Sequence, residues 1–207
     1  MTGHYAQVAF TPLVREHQRA HGSLRSYQRM ASVPEVADRI GPDEAWFIGE
    51  RDSFYLATVG ETGWPYIQHR GGPPGFLKVL DERTLGFADF RGNKQYISRG
   101  NLDHDARVSL FLMDYSTQSR MKIFGRARVV EAADDPALLG SLVVEGYAAR
   151  VERAVLIEVE AFDWNCRQHI PTLYPRAAVA EAMQVLRDRI AELEAQNARL
   201  RADSGRD

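Results

Sequence analysis

Between residues 54 and 164 the apolar residues come in short runs, rich in aromatic and β-branched types, separated by Gly, Pro and Asp turns. Runs of this length and make-up predict strands. "FYLATV" (54–59) and "PYIQHR" (65–70) flank the turn "GETGW" and read as a hairpin. After an irregular "GGPPG" loop at 71–75, "FLKVL" (76–80) and "TLGFAD" (84–89) flank a second turn at Asp81–Arg83. "ARVSLFLMDY" (106–115), "MKIFGRARVVEA" (121–132) and "RAVLIEVEAFDW" (153–164) predict long strands. In the last of these Val155, Ile157, Val159 and Ala161 recur at every second position, the period of a strand with one buried face. "FADFRGNKQYISRGNL" (87–102) begins as a strand and ends as a helix, expected from about Asn93 to Leu102. "DDPALLGSLVVEGYAAR" (134–150) opens with acids and a proline, as a helix does. Six or seven strands joined mostly by hairpins predict a mainly β fold, an antiparallel barrel with added helices. Helices are too few for a doubly wound parallel sheet.

The two ends differ from this middle. Residues 1–50 read as short helices, with Pro12 near one start and Pro34 and Pro42 just inside two more. Trp46, Phe47 and Ile48 are expected to anchor this arm. In the tail, Val179, Met183, Leu186, Ile190, Leu193, Asn197 and Leu200 are spaced alternately four and three apart, which is a heptad seam. With the leucines at d, Asn197 falls at a, where a buried amide favours one register and two strands. The alternative is an amphipathic helix lying on its own barrel. The expected divisions are a helical arm (1–43), the barrel (44–170) and a heptad helix with its tail (171–207).

Composition narrows the function. The 207 residues are 44% hydrophobic and 26% charged, and the formal balance of 26 − 28 = −2 argues against nucleic-acid binding. A local cationic pocket for a small anion remains compatible with it. The single cysteine, Cys166, cannot form an internal disulfide, which fits a reducing cytoplasm. No apolar run has the length of a membrane span, and "MTGHYAQVAF" lacks the pattern of a secretory signal.

Three stretches carry candidate chemistry. At Arg91–Gly92–Asn93–Lys94 a strand-to-helix turn would offer free N–H groups and two cations to a phosphate. The plainer reading is a capped surface helix with solvated charges. In "YIQHRGGPPG" (66–75), Gln68, His69 and Arg70 end a strand and could face a planar ligand, or form its polar outer face. "DWNCRQHI" (163–170) gathers Trp164, Asn165, Gln168 and His169; Cys166 reads as a small semi-buried thiol rather than a nucleophile. His17 and His21 stand at i, i+4, but no third metal ligand accompanies them. The scattered carboxylates offer no acid/base pair, so no catalytic residue and no metal site is assigned.

The order of pieces resembles the pyridoxamine 5′-phosphate oxidase-like flavoproteins. The resemblance is carried by "WPYIQHRGGPPGF", "LGFADFRGNKQYISRGNL", "DARVSLFL", "RMKIFGRARVV" and "DWNCRQHI". It implies a split β-barrel that binds FMN at a homodimer interface, and a flavin-dependent oxidoreductase acting on a small molecule. By position it implies Asn93 and Lys94, with Arg91 in support, on the FMN phosphate. Gln68, His69, Arg70 and Gly71 would line the ring and ribityl chain, beside Ala88 and Asp89. Arg120, five residues before Gly125, would reach the flavin across the dimer, with Trp164 and Gln168 nearby. Gly92–Asn93–Lys94 replaces the oxidases' Ser-Arg-Lys, "GGPPG" interrupts their basic strand, and Arg167–Gln168–His169 lies closer to its tryptophan. These departures count against pyridoxamine phosphate as the substrate. The rival classes are a non-catalytic module for flavin, deazaflavin or haem, with His69 or His169 as the haem ligand, and a scaffold whose coil docks a partner. The coil could also build a higher oligomer. Neither nucleic acid nor membrane is expected as a partner.

Overall fold

Seven antiparallel strands form one sheet in the order β2-β1-β5-β6-β7-β4-β3. The fold is that of a computed structural model, which describes residues 3–28, 36–164 and 167–204. The strands are β1 (Ser53–Val59), β2 (Pro65–Gly71), β3 (Leu77–Val79), β4 (Thr84–Phe90), β5 (Arg107–Asp114), β6 (Ser119–Glu131) and β7 (Val151–Trp164). The helices are α1 (Gly3–Ala9), α2 (Pro12–Ala20), α3 (Leu24–Gln28), α4 (Pro42–Gly49), α5 (Ile97–His104), α6 (Pro136–Leu142) and α7 (Arg176–Ser204).

Strict alternation builds the core. Phe54, Leu56 and Thr58 of β1, Val108, Leu110 and Leu112 of β5, and Met121, Ile123 and Ala127 of β6 all point inward and are buried. Phe54 stacks on Phe76 and meets Phe87 edge-on, with ring centroids 5.4 Å apart, so β1 and β4 share one interior. β7 breaks the alternation, because Ala154, Val155, Leu156 and Ile157 are all buried. Its second face is covered by α6, where Leu142 joins Ala88, Ala154 and Leu156 in a smaller cluster. At the β6 bulge, a Cβ on Gly125 would stand 2.6 Å from the Glu158 carbonyl oxygen, so only glycine fits this pairing with β7.

The chain divides into two compact units. The larger comprises Met1–Asp114 and Ser119–Gln168, so the N-terminal arm groups with the strands. Tyr5 of α1 stacks on Phe124 at 4.9 Å, and Phe47 and Ile48 of α4 are buried. Trp46, expected to help anchor the arm, is instead exposed. Pro42 opens α4, whereas the start expected at Pro34 lies outside the described residues. Residues 36–41 are not helical; the Asp38 amide donates to the Glu160 carbonyl.

The smaller unit comprises Tyr115–Gln118 and His169–Asp207. Gln118 Nε2 donates to the Ile170 carbonyl at 2.6 Å. Helix α7 runs unbroken for 29 residues, and each of its side chains as far as Arg201 is exposed.

Two expected helices move. The one expected from 134 to 150 ends at Leu142, where Val143 turns extended, and Gly146 has a positive φ of 78°. The one expected from Asn93 begins only at Ile97.

Candidate functional site

The Arg91–Gly92–Asn93–Lys94 junction is a loop, not a helix start. Asn93 Oδ1 accepts from the Gln95 amide at 3.2 Å, a side-chain-stabilised turn that competes with helix. Lys94 and Tyr96 then adopt left-handed conformations, with φ of 61° and 53°. Both are uncommon for residues with a Cβ. The loop ends at Ile97 and forms one wall of a cleft of about 210 Å³.

Strand parity supplies a second wall. Along β2, Tyr66, Gln68 and Arg70 face the cleft, and Tyr66 Oη donates to Gln68 Oε1. His69 lies on the opposite face, edge-on to Tyr55. The strands β4 and β7 supply the floor, because Asp89 pairs in register with Arg153. Arg70 Nη1 donates to Asp89 Oδ1 at 2.7 Å, which ties the sheet's edge strand β2 to β4 and draws the sheet closed. Arg153 Nη2 donates to Glu152 Oε2 at 3.2 Å, and its cation lies 5.2 Å from the centre of the Tyr96 ring.

The electrostatics favour an anion. Arg70, Lys94, Arg99 and Arg153 line the cleft with two carboxylates, Asp89 and Glu152, and Arg99 is also paired with Asp103 and Glu131 behind the lining, so the excess of cations rests on Lys94. Lys94 makes no ion pair among the described residues. Arg70 Nε and Arg153 Nε are buried without a hydrogen-bond partner. Burial raises the Asp89 carboxyl above its ordinary range; Arg70 and Arg153 oppose this, and Glu152 and Glu131 add to it.

Of the residues expected to hold a cofactor, the cleft brings together Gln68, Arg70, Asp89, Asn93 and Lys94. Gly71 ends β2, and Ala88 is buried in the α6 cluster. Arg91 is held by Glu152, with Nε 2.9 Å from Oε1. Arg120 opens β6 opposite Met113, and its buried Nε has no hydrogen-bond partner. Trp164 Nε1 donates to Glu44 Oε1 at 3.0 Å and its ring meets Phe47, so the indole is committed to α4. Gln168 is exposed, and Asn165 and Cys166 lie outside the described residues. His17 and His21 stand on and just after α2, and no group of three metal-ligating side chains occurs among the described residues.

The sequence reading missed Tyr66, Tyr96, Arg99, Glu152 and Arg153. Tyr66 was accessible through the parity of β2. Arg153 and Glu152 required the β4–β7 register, which joins residues more than sixty positions apart.

The family model described as pyridoxamine 5′-phosphate oxidase matches residues 43–197. No curated protein matches the chain. Among solved structures, a protein from Lactobacillus delbrueckii described as a putative pyridoxamine 5′-phosphate oxidase is 21% identical, with a TM-score of 0.46 over 60% of this chain and 93% of that one. HupZ of Group A Streptococcus is 16% identical, with a TM-score of 0.46 over 65% of this chain and 99% of that one. HutZ of Vibrio cholerae, described as a heme storage protein, is 17% identical, with a TM-score of 0.38 over 60% of this chain and 94% of that one. Among the described residues no helix is long and apolar enough to cross a membrane.

Proposed function

The chain belongs to the pyridoxamine 5′-phosphate oxidase family, and from that premise we propose that it is an FMN-dependent oxidoreductase acting on a small molecule other than pyridoxamine phosphate. The observation that carries the reading is the cleft's cationic lining, in which Lys94 is exposed and makes no ion pair among the described residues. A phosphate would supply Lys94 with a charged acceptor. Asn93 and Lys94 would hold it, and Gln68 and Arg70 would hold the polar edge of the rest of the cofactor. When bound, FMN supplies hydride and electron transfer. The chain's own residues bind it, orient it and exclude water, and no side-chain acid or base is assigned.

At about 210 Å³ the cleft is smaller than a complete cofactor site, which spans roughly 300 to 1,000 Å³. We therefore assign the remaining walls to a second copy of the chain. Tyr55 and Ile67, 41% and 66% exposed on the outer face of the β1–β2 hairpin, support a homodimer. Arg120, with its unsatisfied Nε, is the residue we assign to the cofactor of the other copy. The single Cys166 supports a cytoplasmic protein.

The test is the visible spectrum of the protein purified without added cofactor, with chromatography of what heat releases. A two-banded flavin spectrum and released FMN are expected. Lys94→Ala should then raise the FMN dissociation constant about tenfold, the discounted value of one exposed charge-assisted bond. A Soret band would replace FMN with haem, and a deazaflavin in the eluate would replace it with that cofactor. A colourless protein that takes up none of the three would overturn the reading.

A further inference from the structure

Helix α7 carries a seam that none of the described residues buries. Val179, Met183, Leu186, Ile190, Leu193 and Leu200 are 41% to 63% exposed along a helix about 43 Å long. Six large apolar side chains on one stripe of a 29-residue helix make a surface that water does not stabilise. We propose that α7 pairs in parallel with α7 of a second copy, forming a two-stranded coiled coil. The proposal is independent of the cofactor reading.

Three features choose this occupant and this direction. The first is the a and d composition. With Val179, Leu186, Leu193 and Leu200 at d, the a positions are Met183, Ile190 and Asn197. A β-branched residue at a with leucines at d favours two strands. The second is Asn197. In a parallel pair it faces the partner's Asn197, and each amide finds a donor and an acceptor. In an antiparallel pair that packs a against d from Met183 to Leu200, it faces the partner's Leu186 and is buried without a partner, at a cost of full desolvation. The third is charge. Arg189 falls at g, and in the parallel register it meets the partner's Glu194 at e, twice by symmetry. Within one chain Arg189 is engaged with Glu192, Nη1 to Oε2 at 2.8 Å, where both side chains are about two-thirds exposed. Such an exposed pair is weak enough to exchange for the one across the seam.

The experiment uses the full chain in a Cys166→Ser background. Leu200→Cys places one thiol per chain on the seam. In the parallel coil two such thiols face each other, and mild oxidation should give a disulfide-linked dimer in high yield. Adding Ile190→Asp and Leu193→Asp, both at exposed positions and so without effect on the fold of the barrel, should reduce the linked fraction at least tenfold. The proposal fails if Leu200→Cys stays unlinked, or if linkage persists unchanged with the two aspartates. Linkage that appears only between Leu200→Cys and Met183→Cys chains, mixed one to one, would make the pair antiparallel and overturn it. The two aspartates leave the barrel's own association in place, so linkage that they abolish reports the seam and not the barrel.

Discussion

Arg70→Met is the most informative single change. It removes the guanidinium and keeps most of the apolar stem, so packing beside Phe87 is largely preserved. Asp89 Oδ1 loses its 2.7 Å donor, and Arg153 Nε, 4.0 Å from Oδ2, is the nearest cation left among the described residues. Breaking one side of a fully buried pair costs about 3 to 5 kcal/mol, and the 22% and 16% exposure of these side chains brings the expectation to about 2 kcal/mol. That is about a thirtyfold fall in the folding equilibrium. The sign with pH follows from Asp89. Its carboxyl is already raised by burial, and Arg70 is the largest opposing influence. Without Arg70 the carboxyl rises further, so the variant's penalty is full only at pH values above the variant's own, higher Asp89 pKa. It fades as pH falls through that value and is gone below the parent's Asp89 pKa, where the carboxyl is neutral with or without Arg70. Urea denaturation followed by tryptophan fluorescence reads this directly. In an Asp89→Asn background, Arg70→Met should cost less than about 0.5 kcal/mol, because the charge it neutralises is gone. A loss at neutral pH of the same size in both backgrounds would refute the argument and reduce the bridge to packing.

Other changes test other parts. Gly125→Ala should destabilise by about 2 kcal/mol, since its Cβ meets backbone rather than a movable side chain; a variant as stable as the parent in thermal unfolding would deny the close approach of β6 to β7. Trp164→Phe should cost about 1 kcal/mol through the lost bond to Glu44, with FMN affinity unchanged, since the indole faces α4. A large fall in flavin affinity for that variant would move Trp164 back to the cofactor. Lys94→Ala, in contrast, should weaken FMN binding and leave the unfolding midpoint unmoved, because Lys94 is exposed and makes no ion pair among the described residues; an equal effect on both would make it structural.

The strands were legible because alternation is a local signal. Val108, Leu110 and Leu112 face inward for the same reason that they stand two apart. The cleft was legible only in part. Arg70 and Lys94 could be read as strand-end and loop cations, but the bridge that makes Arg70 half of a pair depends on Asp89, nineteen residues on. The helix expected at Asn93 failed for a nameable reason, namely that asparagine's own carbonyl captured the Gln95 amide and postponed the helix to Ile97. The bond that commits Trp164 to α4 was not legible, because its acceptor, Glu44, is 120 residues away in the chain. That carboxylate also closes the capping box of α4, accepting from the Gly41 amide at 3.1 Å.

The left-handed backbone at Lys94 and Tyr96 bears on when this loop acquires its order. Glycine adopts such angles freely, and each non-glycine residue there costs of order 1 kcal/mol. The side chains keep a cation at the mouth of the cleft and an aromatic ring over Arg153. A backbone shape fixed in the fold means that the entropy of ordering this loop is lost during folding, and a ligand taken up by the cleft would not bear it during capture.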